Sequence, residues 1–163
     1  MNSISVSIVV CAFNEEKNLL SCLNSIKSNI IQDKSTEIII VDNSSLDSTG
    51  EIALNFVDEN SNDLIIRYLN ITHVPLTSSR NTAISFCRGT YIIFVDADAI
   101  VGKDWLINIL SEFNENTLIV AGNVGNLNSK SYFADFIFNA HYKCSLRKDK
   151  YIGANMAFNR SVF

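Results

Sequence analysis

The sequence predicts a three-layer α/β/α domain around a mainly parallel sheet. Three observations lead there. Short, almost wholly apolar runs such as Glu37–Val41 ("EIIIV") and Tyr91–Val95 ("YIIFV") suit strands buried on both faces. Stretches of helical period separate them. At 163 residues and 47% hydrophobic content, the chain holds one substantial core and reads as a single domain over 1–163.

The elements follow in order. Val6–Ala12 ("VSIVVCA") is a strand apolar on both faces, and Leu19, Cys22, Leu23 and Ile26 then fall at i, i+3, i+4 and i+7 of a helix. Asn14 is placed to cap that helix, with Glu15 and Glu16 at its positive end. After the strand Glu37–Val41, Ser48 and Glu51 form a capping-box pattern ahead of an apolar stripe through Ile52, Ala53, Phe56 and Val57. Leu64–Leu69 is a third strand. Ser78 or Ser79 caps a helix that turns Ala83, Phe86 and Cys87 inward, and Tyr91–Val95 is the next strand. Leu106, Ile109, Leu110 and Phe113 mark a further helix, and Leu118–Ala121 a short strand. Residues 122–130 read as a polar loop. The closing "YIGANMAF" alternates with period two: Ile152, Ala154, Met156 and Phe158 form a core face, opposite a small, polar face of Tyr151, Gly153, Asn155 and Ala157.

Charge and composition exclude several functions. A net charge of −4 and a pI near 5.1 supply no broad basic surface for duplex nucleic acid. No apolar run is long enough to span a bilayer, and the N-terminus lacks the pattern of a signal peptide, so a cytoplasmic location is the expectation. The four cysteines form no CxxC pair, which argues against zinc or redox chemistry and for small buried side chains. His73 and His141 have no ligand-like partner in the sequence and read as ordinary residues.

In an open parallel sheet, ligands bind outside the carboxyl ends of the strands. Three such ends carry polar groups: Phe13-Asn14-Glu15, Asp42-Asn43-Ser44 and Asp96-Ala97-Asp98. The i, i+2 spacing places the last two carboxylates on one side of an extended chain, with Ala97 facing away. Oxygen-only donors suit a hard cation, Mg²⁺ or Mn²⁺, which binds through one or two carboxylates plus phosphate oxygens. Two solvated aspartates that end a strand and lead into a helix would read the same way.

The segments "VSIVVCAFNEEKNLLSCLNSI", "EIIIVDNSSLDST", "SSRNTAISFCRGTYIIFVDADA" and "GANMAFNRSVF" together resemble, in order and spacing, the motifs of family 2 glycosyltransferases of the GT-A fold. The resemblance implies a divalent-metal-dependent transferase, of hexosyltransferase type, that moves a sugar from a UDP- or GDP-linked donor to a saccharide or lipid-linked acceptor hydroxyl, with inversion. It implies that Ala12, Phe13 and Glu15 line the nucleotide site, with Phe13 in place of the usual tyrosine as the stacking ring. Asp42 matches the acid that recognises the base, Arg80 the arginine of the diphosphate region, and Asp96 and Asp98 the metal pair. Gly153 and Asn155 match the strand lining the donor and acceptor region. Pro75-Leu76 replaces the glycine-containing loop common in the family. The acid that serves as catalytic base in inverting members falls beyond Phe163, so the domain is expected to be C-terminally incomplete. That absence motivates an alternative, a silent module that binds sugar nucleotide without transferring sugar.

Two other classes fit less well. A phosphoacceptor domain gives no role to Phe13, Arg80 or the last strand, and a dinucleotide-binding domain needs a glycine-rich turn after the first strand that this chain lacks. The aromatic-then-basic order from Tyr132 to Lys150 is compatible with docking at a lipid surface, although a packed helix with a solvated basic end explains the same residues.

Overall fold

Val6–Ala12 forms β1, which pairs in parallel with β2 (Thr36–Asp42) on one side and β4 (Tyr91–Asp96) on the other. The computed structural model describes residues 4–30, 35–122, 124 and 154–163. β3 (Ile65–Asn70) extends the parallel set beyond β2. With β5 (Ile119–Ala121) and β6 (Asn155–Asn159) the described residues form a six-stranded sheet of order β3-β2-β1-β4-β6-β5, in which β6 runs antiparallel to both of its neighbours.

Among the described residues four α-helices cover the sheet: α1 (Leu19–Ile30), α2 (Thr49–Asn60), α3 (Leu76–Phe86) and α4 (Trp105–Ser111). The period-two alternation within each strand sorts the core into two clusters. Ile8, Val10, Ile38, Ile40, Ile93 and Val95 meet Leu23 and Ile26 of α1, Phe56 of α2 and Leu106 of α4. Val9, Ile39, Val41, Ile92 and Phe94 meet Ala83 of α3 and Cys87 just beyond it. The expected three layers are present. Among the described residues no helix is long and apolar enough to cross a membrane.

Several local expectations are corrected. Asn14 does not cap α1; it adopts a left-handed conformation with φ 56° and its side chain accepts a bond from Leu46 N–H instead. Ser48 makes no side-chain cap to α2; Asp47 takes that role, accepting from Thr49 N–H at 3.0 Å and Thr49 Oγ1 at 2.5 Å. α3 begins after Pro75, whose fixed φ suits a helix entry, rather than at Ser78 or Ser79. Phe86 is 42% exposed. The contact stripe of α3 is made of Ser79 and Ala83, small residues that draw the helix close to the sheet and leave no room for a phenyl ring. β6 does not divide into a core face and an open face. Ala157 is fully buried in the first cluster while Phe158 packs on the second, because β6 lies inside the sheet. The segment from Tyr132 to Lys150, together with His141, Cys144, Tyr151, Ile152 and Gly153, lies outside the described residues.

The edge of the sheet remote from the strand carboxyl ends is fastened by a buried charge. Glu37 is fully buried and accepts from Arg67 Nη2 at 2.8 Å, Ser7 Oγ at 2.6 Å and Arg88 N–H at 2.7 Å. Arg67 also donates to the Phe86 carbonyl. One carboxylate thus joins β1, β2, β3 and the α3–β4 connection. Removing it leaves Arg67 without its counter-charge and the Ser7 hydroxyl without its acceptor, while Arg88 N–H keeps only its 3.2 Å bond to Ser7 Oγ. Glu37→Ala is expected to lower stability by about 3 kcal/mol, the low end for a broken buried pair because Arg67 still reaches solvent. Urea unfolding that gives less than about 1 kcal/mol would contradict this.

Candidate functional site

The chain order β3-β2-β1-β4 reverses direction at the β1/β4 boundary, and the register there places Cys11 beside Asp96 and Ala12 beside Asp42. The loops leaving β1 and β4 lead to α1 and α4 on one face, whereas the β3–α3 loop passes to the other, and a crevice lies between them. A cleft of about 400 Å³ occupies it, lined by Phe13, Glu15, His73, Ser79, Asp96 and Asp98 among others.

The wall from β1 is held by the loop after β2. Asn14 N–H donates to Ser45 Oγ at 3.0 Å and Glu15 N–H to Thr49 Oγ1 at 2.8 Å. Glu16 N–H donates to Asp47 Oδ2 at 3.2 Å, while its carboxylate accepts from Ser48 N–H at the same distance. Two strand-end loops are therefore tied to each other, with Phe13 left 43% exposed on the cleft side.

Asp42 stands behind this wall. It is 2% exposed, with Oδ1 accepting from Ser45 N–H at 2.9 Å and Oδ2 from Tyr68 Oη at 2.9 Å. As placed, its carboxylate orders the loop and does not line the cleft. The neighbouring Asn43 does: its side chain donates to the Val74 carbonyl at 2.7 Å and accepts from Val74 N–H at 2.9 Å, pinning the β3–α3 loop to the end of β2.

On the opposite wall the chain does not remain extended through both acids. It turns immediately after Asp96, with Ala99 N–H donating to the Asp96 carbonyl at 3.0 Å. Ala97 enters the core at 3% exposure, and both Asp96 and Asp98 still line the cleft. Arg80 Nη2 donates to Asp96 Oδ1 at 2.6 Å, and its guanidinium sits 5.4 Å from the centroid of the Phe94 ring. α3 thus fixes the first acid while the second stays exposed. Two carboxylates with no further His, Cys, Asp or Glu in ligating range among the described residues fit a hard cation that keeps waters and takes ligand oxygens.

The sequence-predicted residues divide accordingly. Ala12, Phe13, Glu15, Asp96 and Asp98 share the cleft, and Arg80 joins it through Asp96. Asn155 faces a separate groove of about 750 Å³ beside α4 and β5, where its Oδ1 accepts from Trp105 Nε1 at 2.9 Å. Gly122 lies so close that a Cβ there would stand 2.1 Å from Asn155 Nδ2, so a larger residue would require the Asn155 side chain to move. Asn43, Ser79 and His73 also line the cleft; the sequence marked Asn43 only as one of the polar residues at a strand end, Ser79 only as a cap and His73 as ordinary. The His73 ring centroid lies 4.5 Å from that of Phe13. No periodicity links residues 60 positions apart; the usable signal was that His73 follows a parallel strand and so falls on the same sheet edge as Phe13.

A family model described as "Glycosyl transferase family 2" matches residues 7–161. The glycosyltransferase EpsJ of Bacillus subtilis (strain 168) is 35% identical over 117 residues, which cover 72% of this chain and 33% of that protein. The chain therefore spans about a third of the length of this relative. Among solved structures, a mannosyltransferase from Pyrobaculum calidifontis in complex with GDP-Man and Mn²⁺ superposes with a TM-score of 0.77 at 20% identity, over 99% of this chain and 46% of that one. Glucosyl-3-phosphoglycerate synthase from Mycobacterium tuberculosis, in complex with Mn²⁺, UDP and glucosyl-3-phosphoglycerate, gives 0.69 at 18% identity, over 97% of this chain and 57% of that one. These structural likenesses establish the GT-A fold.

The described cysteines are free thiols, and all three are held protonated. Burial pushes Cys11 up to about 11, against the opposing effect of Arg80, with Asp96 adding to the rise. Burial also lifts Cys22 to about 12, reinforced by the charges of Asp98, Asp96 and Glu15, and Cys87 to about 11. The sign is that of a group whose charged form is disfavoured: the thiolate of Cys11 emerges only as pH approaches 11. At pH 8 the folded chain should carry about 100-fold less Cys11 thiolate than the unfolded chain. Iodoacetamide should modify Cys11 correspondingly more slowly in buffer than in urea, as read by peptide mass. Equal rates would contradict this placement.

Proposed function

Because the chain belongs to glycosyl transferase family 2, we propose that residues 1–163 form a domain whose cleft binds a nucleoside-diphosphate sugar with Mg²⁺ or Mn²⁺ and presents the sugar to an acceptor hydroxyl. The observation that carries this reading is the convergence of an exposed aromatic ring, Phe13, and a carboxylate pair, Asp96 and Asp98, on one cleft, with Arg80 bonded to the first acid.

Each residue has a role its surroundings support. Phe13 offers a face to the base. Asp96 and Asp98 hold the cation, whose charge would stabilise the departing diphosphate. Arg80 fixes Asp96 in position and adds a second positive charge beside the phosphates. Asp42, with both oxygens engaged, keeps the β2 loop in the shape that supports Phe13. The groove at Asn155 and Trp105 receives the acceptor, a saccharide or a lipid-linked hydroxyl. Inversion at the anomeric carbon is part of the proposal and rests on the family alone. Membership of a family of named transferases favours transfer over silent binding.

Thermal denaturation with UDP- and GDP-linked sugars, each with and without Mn²⁺, is the test. A donor held at one hundred times its dissociation constant should stabilise the chain by about 2.7 kcal/mol. Asp98→Asn should abolish the manganese-dependent part while leaving the unliganded midpoint unchanged, since Asp98 is exposed. A shift that is the same with and without Mn²⁺, or one that survives Asp98→Asn, would remove the metal from the proposal.

A further inference from the structure

The β3–α3 loop, residues 71–75, is fastened to the end of β2: Ile71 N–H donates to the Asp42 carbonyl at 2.9 Å and Ser44 Oγ donates to the Ile71 carbonyl at 2.7 Å. Asn43 holds Val74 through two side-chain hydrogen bonds, and its backbone carbonyl lies 3.2 Å from His73 Nδ1. A carbonyl only accepts, so Nδ1 carries a proton in this contact, and in the neutral ring Nε2 is left as an acceptor. The ring is solvent-exposed yet fixed, with its centroid 4.5 Å from that of Phe13 and the two planes inclined at 44°. Both rings line the cleft that holds Asp96 and Asp98.

Two exposed aromatic rings held against each other at the mouth of a polar cleft leave uncovered a surface that water solvates poorly. Because they touch, no base can slip between them. They form instead an angled wall with one open side, continued by Pro75 and by Leu76, which is 50% exposed.

We propose that His73 is a base-positioning residue: with Phe13 it forms the wall on which a nucleobase lies, and its Nε2 accepts a hydrogen bond from a base that carries a ring N–H. Uracil and guanine present such a donor, whereas cytosine and adenine present a ring nitrogen acceptor in its place. The β3–α3 loop is then the element that selects the nucleotide. This deepens the assignment of the cleft to a sugar nucleotide and rests on it.

Calorimetric titration of the 163-residue chain with UDP, GDP and CDP in the presence of Mn²⁺, and with manganese pyrophosphate as a ligand lacking a base, tests the idea. The wild-type chain should bind UDP or GDP more tightly than CDP. His73→Ala should weaken that binding by roughly 5- to 150-fold, the range for loss of one stacking partner, and leave pyrophosphate unchanged. His73→Phe should retain most of the affinity but lose the preference over CDP, which a merely structural role would not produce. Unaltered UDP and GDP binding by His73→Ala, or an equal loss of pyrophosphate binding, would overturn the role of His73 alone. Pyrophosphate binding by the wild-type chain without any gain from a base would also overturn it. Failure of every one of these ligands to bind the wild-type chain would overturn the sugar-nucleotide assignment itself.

Discussion

The handedness of parallel crossovers governs this molecule. A right-handed connection that advances across the sheet in one direction lays its helix on one face, and a connection that returns lays it on the other. β1 to β2 and β2 to β3 advance, so α1 and α2 share a face; β3 to β4 returns past β1, so α3 lies opposite. The β3–α3 connection therefore crosses to the far face at the carboxyl ends of β1 and β4, and the cleft lies between it and the ends of those two strands.

Within the crevice, electrostatics and packing are balanced on α3. Its small inward face brings Arg80 within bonding distance of Asp96 and over Phe94. Among the described residues Arg80 stands against Asp96, Asp98 and Glu15, and after burial itself those three carboxylates add to the upward push on the Cys22 thiol. The main chain carrying the two acids is anchored, because Ala97, between them, sits in the core.

Polar groups buried at the two edges of the sheet do different work. At the edge away from the cleft, Glu37 is saturated by Arg67, Ser7 and Arg88 and fastens four segments. At the cleft edge, Asp42 and Asn43 spend their hydrogen bonds on the neighbouring loops. Phe13 and His73 are left as exposed rings in contact with each other on tethered loops, and a surface ordered before binding loses less entropy when a ligand arrives.

Strands buried on both faces and helices with a clear 3.6-residue stripe are local patterns, so β1, β2, β4 and α1 were legible in the sequence to within a residue or two at the strands, and so was the placing of Asp96 and Asp98 at a strand end. The helix starts were read less well. Ser48 and Ser78 carry the right chemistry for a cap, but Asp47 and Pro75 compete for it, and sequence pattern does not rank such neighbours. What only the tertiary structure decided was which residues meet across distance. The burial of Asp42 under Tyr68, the pairing of Phe13 with His73 and the diversion of Asn155 toward Trp105 each join segments separated by more than 25 residues. Periodicity along the chain reports which face a side chain takes, and it holds no information on what stands opposite once the strands have been ordered.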